Sequence, residues 1–553
     1  MSQNVGRPRV GRATAGADGG KRVAPHSADA VVGPVECSST TRFVSAADAA
    51  SSIADGATVA LTGSGGGILE PDGVLAAIEE RFLATGHPRG LTVIHGLGIG
   101  DGATTGLNRL AHQGLVSCVV GGHWSWSPRM QQLVKDELIE GYALPTGVIS
   151  ALLRESGAGR PGVITKVGLG TFIDPRVGGP GLNRRSTRTL VSTIDLDGVE
   201  YLHYKPFRVD VGIVRGSSVD TLGNLSAAAE PAILDSLAVA AAARGNGGFT
   251  IAQAKEQVPA GTQDPRTVSV PAPLVSLAVI RPEQWQSYLA ESDPALTENA
   301  VVSPRVGKPA VGPVAARELV ARRAAEEVPD GAVLNVGFGM SAGVVDVLAQ
   351  GGRLDRMRIV IEQGPVGGHP ESGALFGLSR HPDGLLASTS MFDLFATGMI
   401  DVAVLGMAEA DRHGNVNVSK VGDSVVGPGG FIDISTSARK LVFCGTFTAG
   451  GLQASGDGGE LTITAEGRAR KFVQDVSHIT FSAERARERG QEVVFVTERA
   501  VLRLGPRGLV LTEIADGIDL ERDVLAQMDF VPDVDGPRLM NPEIFASPLI
   551  ALS

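Results

Sequence analysis

"VPDGAVLNVGFGMSAG" (Val328–Gly343) decides how this chain is read, because the chain contains it twice in diverged form. Its counterpart is "IADGATVALTGSGGG" (Ile53–Gly67); each runs from a helix exit through a D-G turn and a β-favouring run into a glycine-rich loop. A second pair follows in the same order. "DVGIVRGSSVDTLGNLS" (Asp210–Ser226) resembles "DVAVLGMAEADRHGNVNVS" (Asp401–Ser419), sharing D-V, a β run, an acidic residue and G-N. Two matches in one order indicate duplication. Strand-like "LTVIHGLG" (91–98), "SCVVGG" (117–122) and "GVITKVGLG" (162–170) alternate with helix-like runs such as "DGVLAAIEERFLATG" (72–86). That is the β-turn-α-β rhythm of parallel sheets. The predicted fold class is therefore α/β, with two related, duplicated α/β domains and mainly parallel sheets. At 553 residues, a rule of roughly 150 residues per domain allows two to four units. The expected boundaries are a tail over 1–40, a first domain over 41–300, a Pro-rich linker over 301–315 around "SPRVGKPAVGP", a second domain over 316–535 and a C-terminal tail over 536–553.

Composition excludes several classes. A net charge of −11 and only 4% aromatic residues disfavour nucleic acid and anionic membranes as partners, since neither a basic surface nor stacking platforms are supplied. No apolar run approaches the ~18 residues of a membrane span. The basic N-terminus lacks the apolar stretch of a secretory signal and reads as a Gly- and Pro-rich tail, with a transit peptide as the alternative. Cys37, Cys118 and Cys444 lie far apart and form neither a metal spacing nor a disulfide framework, which suits a reducing cytoplasm. His369, His381 and His413 are spaced unlike metal ligands, and the metalloprotease, P-loop and nucleophile-elbow motifs are absent. "GGHWSWSPRM" (121–130) reads as a packing or subunit-contact loop, and Lys205 in "YLHYKPF" is a candidate phosphate ligand.

The residue that calls for chemistry is Glu362, in "RIVIEQGPVGGHPESG" (Arg358–Gly373). Burying its charge at a strand end is costly unless it is paired or hydrogen-bonded. Laid on the first repeat, it falls opposite His95, so only one half keeps the carboxylate. Three readings stand. Gly337, Gly339 and Ala342 form a G-x-G-x-x-A after a strand, with Glu362 20 residues beyond Ala342, as in a nucleotide-dependent oxidoreductase. Alternatively, Glu362 caps a glycine turn. In the third reading it reacts itself.

"IVIEQGPVGGHP", "DLFATGMIDVAVLGMAEADRHGNVNVSKVG" and "GPGGFIDISTSARKLVFCGTFTAGG" resemble family I coenzyme A transferases of the fused, single-chain short-chain acyl type. "HWSWSPRM", "YALPTGVIS", "VGLGTFIDPR" and "DTLGNLS" extend the resemblance over roughly residues 40 to 535. The resemblance implies CoA transfer between an acyl-CoA and a free carboxylic acid, with Glu362 as the covalent nucleophile. It also implies oxyanion contacts from Gly65 and Gly66, and CoA contacts from Gly337, Phe338, Gly339, Met340, Ser341, Gly427, Gly429 and Gly430. No tightly bound cofactor or metal is implied; CoA is substrate and covalent intermediate, and the assembly is a homo-oligomer, tetramer or dimer. Asp411 and His413 are turn residues in this reading, because the chemistry needs no proton shuttle. A non-catalytic acyl-CoA-binding protein is the remaining alternative.

Overall fold

The computed structural model describes residues 40–300 and 313–546. Its first half contains β1 (Arg42–Phe43), β2 (Thr58–Leu61), β3 (Leu91–His95), β4 (Val116–Gly121), β5 (Glu140–Ala143), β6 (Val211–Asp220), β7 (Phe249–Val258) and β8 (Leu277–Ile280). They run in the order β1-β8-β7-β6-β2-β3-β4-β5, every neighbouring pair parallel. The second half contains β9 (Val333–Val336), β10 (Arg358–Ile359), β11 (Val402–Gly406), β12 (Lys440–Cys444), β13 (Glu492–Val496), β14 (Ala500–Leu504), β15 (Leu509–Ile514) and β16 (Asp533–Leu539), ordered β10-β9-β11-β12-β13-β14-β15-β16. The predicted α/β class and mainly parallel sheets are therefore observed. The run β3-β2-β6-β7-β8 recurs as β10-β9-β11-β12-β13. Each half then adds different outer strands: β4 and β5 in the first, and the β14–β16 group in the second, where β14 and β15 are antiparallel.

The duplication extends to single hydrogen bonds. Thr58 N–H donates to Asp210 Oδ2 at 2.9 Å, and Val333 N–H donates to Asp401 Oδ2 at 2.9 Å. Asp220 accepts from the N–H groups of Leu222 and Asn224, and Asp411 from those of His413 and Asn415. Short acids serve these places because their oxygens satisfy the backbone of a tight turn. Asp411 and His413 are thus turn residues, as read from the sequence.

The ladders also correct one expectation. Thr92 N–H bonds Ala57 O and Arg358 N–H bonds Ala332 O, which makes Thr92 equivalent to Arg358, His95 to Ile361, and Gly96 to Glu362. The residue opposite the carboxylate is Gly96 and not His95. A shared V-I doublet aligned the sequences one residue out of step, and a one-residue slip exchanges the faces of a strand.

The boundaries also differ in detail. The tail over 1–40 lies almost wholly outside the described residues, as does most of the 301–315 linker, although Val314 and Ala315 form a short strand. The expected boundary at 535 falls inside β16, which pairs with β15, and Phe545 is fully buried. Residues 536–546 thus belong to the second half's sheet and core. An alternating sequence such as "DVDGPRL" has too few apolar residues to announce an edge strand.

The halves share a core. Helices α1 (Thr146–Gly157) and α2 (Ser388–Ala396) meet across the junction beside α3 (Phe431–Ser437), and one cluster of buried apolar residues includes Leu152, Met391, Phe395 and Ile432. Gly147 sits where an added Cβ would lie 2.6 Å from Asp433 Oδ1 and 2.7 Å from Phe392 Cδ1. Arg154 and Asp393 form an exposed ion pair across the same junction at 2.6 Å. Because exposed pairs are worth at most about 1 kcal/mol and overpacking costs about 1–3 kcal/mol, Gly147→Ala is expected to lower the melting temperature more than Arg154→Ala. The opposite ranking in thermal unfolding would show that surface charge, and not close packing, joins the halves.

Candidate active site

The strand order reverses between β9 and β11, the place where open α/β sheets leave a crevice at the carboxyl ends of their strands. A cavity of about 320 Å3 lies there, lined by Val336 and Gly337 at the end of β9, Glu362 after β10, Gly406 and Met407 at β11, and Cys444 and Gly445 at β12. Local geometry presents Glu362. Ile361 N–H bonds Pro365 O and Gly364 N–H bonds Ile361 O at 2.9 Å, closing a turn with Glu362 and Gln363 at its tip. Gly364 has φ +121°, and a Cβ there would lie 2.0 Å from Leu386 O, so glycine is required.

Glu362 faces a second cavity too, of about 280 Å3, with Ser64, Gly65, Leu97, Gly98, His123, Trp126 and Phe376 on its walls. The Glu362 carboxylate thus stands between walls supplied by both halves. Burial pushes its pKa up to about 7, opposed by a hydrogen bond from the Gly430 N–H. Asp433, one turn along α3, is pushed up to about 8 by burial, with Gly147 N–H opposing and the charge of Glu362 adding to the rise. His123, which lines both cavities, is pushed down to about 4 by burial and by His95. It is neutral at pH 7 and presents a polar ring without a competing charge.

Backbone hydrogen bonds sew the second half's "VGPGG" loop (Val426–Gly430) onto the first half. Trp124 N–H bonds Val426 O at 2.8 Å, Gly429 N–H bonds Gly122 O at 2.9 Å, and Thr146 N–H bonds Gly429 O at 2.9 Å. This changes the reading of three candidates. Gly427, Gly429 and Gly430 all line the larger cavity, but the Gly427 amide is taken by Ser419 O and the Gly429 amide by Gly122 O. The Gly430 amide serves Glu362. These glycines pack beside Glu362 and leave room next to it; the Gly427 and Gly429 amides are already engaged.

Gly337, Phe338 and Met340 line the cavity, whereas Gly339 and Ser341 do not. Ser341 is buried with its hydroxyl donating to Gly337 O at 2.8 Å, so it closes the turn. Gly65 lines the smaller cavity against the Trp126 ring, and Gly66 (φ +83°) packs where a Cβ would lie 2.0 Å from Ala374 O. Neither amide donates a hydrogen bond within the described residues. Lys205 is exposed and lines neither cavity. Among the described residues no cluster of three or more His, Cys, Asp or Glu could hold a metal.

The sequence reading missed His123, Trp126, Asn335 and Lys471. "GGHWSWSPRM" is a wall of the site as well as a packing loop, and its signal was its place just after β4, at the carboxyl end of a parallel strand. Asn335 inside β9 and Lys471 between short strands carried no such signal. Since a Cβ on Gly430 would lie 1.9 Å from Glu362 Oε2, Gly430→Ala is expected to reduce turnover about a hundredfold while the protein stays folded. A folded variant with near-normal turnover would show that the contact is not needed for positioning.

Comparison with known proteins places this geometry. The family described as coenzyme A transferase matches residues 43–279. The chain is 38% identical to acetate CoA-transferase YdiF of Escherichia coli K12 over 93% of this chain and 97% of that one. It is 41% identical to caffeate CoA-transferase of Acetobacterium woodii over 89% and 95%. A crystal structure of the YdiF acyl-CoA transferase from E. coli O157:H7, described as a thioester complex with CoA, superposes with a TM-score of 0.88 at 38% identity, covering 93% of this chain and 98% of that chain. These findings set aside the oxidoreductase and non-catalytic readings: the chain belongs to the coenzyme A transferase family and is a CoA transferase of the single-chain type.

Proposed function

We propose that this enzyme exchanges CoA between a short-chain acyl-CoA and a free carboxylic acid, acetate among them, with Glu362 as the covalent nucleophile. The observation that carries this reading is the position of Glu362: a carboxylate at the tip of a glycine-bounded turn, between two cavities, held by one backbone N–H. In the first step a Glu362 oxygen attacks the thioester carbon, and CoA leaves as a thiolate, giving an acyl-glutamyl anhydride. The thiolate then attacks the glutamyl carbonyl, releasing the first acid as its carboxylate and leaving a glutamyl-CoA thioester. The incoming carboxylate attacks that carbonyl and expels the thiolate. The thiolate takes the new acyl group and frees Glu362. No proton is consumed, consistent with neutral His123 and with Asp411 and His413 held in a turn.

A carboxylate is a weak nucleophile, and desolvation with fixed position compensates for this. The unengaged amides of Gly65 and Gly66 are the proposed donors to the oxyanion in each tetrahedral intermediate. Gly65 is the better placed, since it lines the cavity that Glu362 faces. Phe338, 58% exposed and edge-on to Phe376 at 5.0 Å, offers an apolar wall to the pantetheine arm. We further propose that the halves act as two subunit-like domains, in keeping with the 30% and 25% identity to separate beta and alpha subunits of E. coli acetate CoA-transferase. Cytoplasmic location is supported by Cys118 and Cys444 standing as free thiols and by the absence of a membrane-crossing helix among the described residues. A tetramer or dimer rests on the resemblance alone.

Mixing enzyme with acetyl-CoA and analysing it by intact-protein and peptide mass spectrometry is expected to reveal a CoA-sized adduct on Glu362. Glu362→Gln is expected to lose the adduct and to lower turnover at least about a thousandfold; wild-type rates in that variant would overturn the mechanism. The carboxylate must be ionised to attack, and its pKa stands near 7. The kcat/KM for acyl-CoA is therefore expected to rise with pH through about 7, whereas a rise centred near 4.5 would show that the site does not desolvate Glu362.

A further inference from the structure

Lys471 lines the same cavity as Glu362 and is only 9% exposed. Its main chain is fixed, because Ala410 N–H bonds Lys471 O at 2.8 Å, and its neighbour Phe472 is fully buried against Phe447. Its ammonium is different. Among the described residues no carboxylate pairs with Nζ and no carbonyl accepts a hydrogen bond from it, while the space beside it opens on the cavity. Gly445, another cavity residue, makes the space: a Cβ there would lie 2.5 Å from Nζ. A buried ammonium without a partner is costly unless an anion joins it.

The charged neighbours do not supply that anion. Glu498 acts on Lys471 from a distance, but its oxygens accept from Phe447 N–H at 2.9 Å and Arg499 Nε at 2.7 Å. Arg499 also pairs with Glu466 at 2.7 Å. The Cys444 thiol is pushed up to about 12 by burial and is neutral at pH 7. His123, the remaining titratable group on the cavity wall, is neutral as well. Glu362 and Lys471 line one cavity, and the two form no ion pair. Other walls of that cavity are apolar, with Leu405, Met407, Val418 and Ile434.

The geometry points to Lys471 as the group that holds the carboxylate of the free acid in this cavity, one oxygen on Nζ and the other turned toward the Glu362 carbonyl. This deepens the proposed function and rests on the glutamyl-CoA reading. An ammonium here answers a definite problem: the incoming carboxylate must give up water to enter the cavity, and Lys471 is the one Lys or Arg among the described residues that line it. Lys471 is then an acid-binding residue, used when the acid attacks the thioester and again, in reverse, when the first acid leaves.

The test separates the two half-reactions. Enzyme charged with acetyl-CoA carries the CoA adduct, which is then discharged either by acetate or by hydroxylamine, a nucleophile that is neutral near pH 7. In Lys471→Gln and Lys471→Met the KM for acetate is expected to rise at least about tenfold, the worth of a charge-assisted hydrogen bond, while hydroxylamine discharges the adduct at close to the wild-type rate. An unchanged acetate KM overturns the inference, including the case in which only the melting temperature falls, which would make Lys471 a counter-charge to the Glu466–Arg499–Glu498 network. A KM effect confined to succinate overturns it too, because the contact would then be to a distal carboxylate. If both variants fail to fold, the wild-type enzyme decides. Burial pulls Lys471 down to about 8, so the KM for acetate should rise as pH passes 8, and a KM flat from pH 7 to 9 would overturn the proposal. Absence of any adduct in the wild type would remove the glutamyl-CoA reading itself, an outcome distinct from all of these.

Discussion

The structure depends on keeping one ionisable carboxylate, partly buried between two cavities, largely out of water. Moving the Glu362 pKa from its ordinary 4.5 to about 7 weighs on the order of 3 kcal/mol against the ionised form, a large share of a protein's net stability. Because the folded value is raised, folding is disfavoured as the pH climbs through that interval and Glu362 ionises. The surrounding structure has to over-determine the position for that to persist. It does so with the Ile361–Gly364 turn beneath the residue, the Gly430 amide in front of it and α3 behind that amide.

The same constraint explains why two halves are needed. One α/β sheet of this size already offers a crevice at its switch point, but that crevice is open on one side. The first half closes it with the "GSGGG" and "GGHWSW" loops, whose glycines allow contact distances that any Cβ would forbid: Gly65 against Trp126, and Gly66 against Ala374 O. Three backbone hydrogen bonds between "VGPGG" (Val426–Gly430) and residues 122–146 make the closure part of the fold. Duplication supplied two copies of one scaffold, and divergence gave them different tasks. At the position where the second half carries Glu362, the first carries Gly96.

Charge is distributed in the same spirit. His95 is buried, His123 is partly buried, and both are neutral at pH 7, so the first half adds polarity without adding charge to the site. The buried acids elsewhere, such as Glu513 with Arg323 or Glu230 with Arg215, have partners within hydrogen-bond distance. Against that background of paired charges, Glu362 and Lys471 line one cavity with no ion pair to either among the described residues.

Much of this was present in the sequence. The paired D-G, strand and glycine-loop segments, and the paired D-V…G-N segments, disclosed the repeat because backbone-determined turns require particular residue types wherever they occur. The carboxylate ahead of "QGPVGG" stood out for the same reason: a charge at a strand end among glycines is expensive and specific. Register did not follow from sequence, since "LTVI" and "RIVI" match equally well in two alignments and only the hydrogen-bond ladder distinguishes them. Nor did the fate of individual amides: Gly427, Gly429 and Gly430 look alike in sequence, yet one bonds Ser419, one bonds Gly122 and one holds Glu362. Asn335, His123 and Lys471 reach the cavity from segments far apart in the chain. Local residue preferences determine turns and strands, whereas the meeting of distant side chains in one cavity is decided by packing between elements, which only the tertiary structure contains.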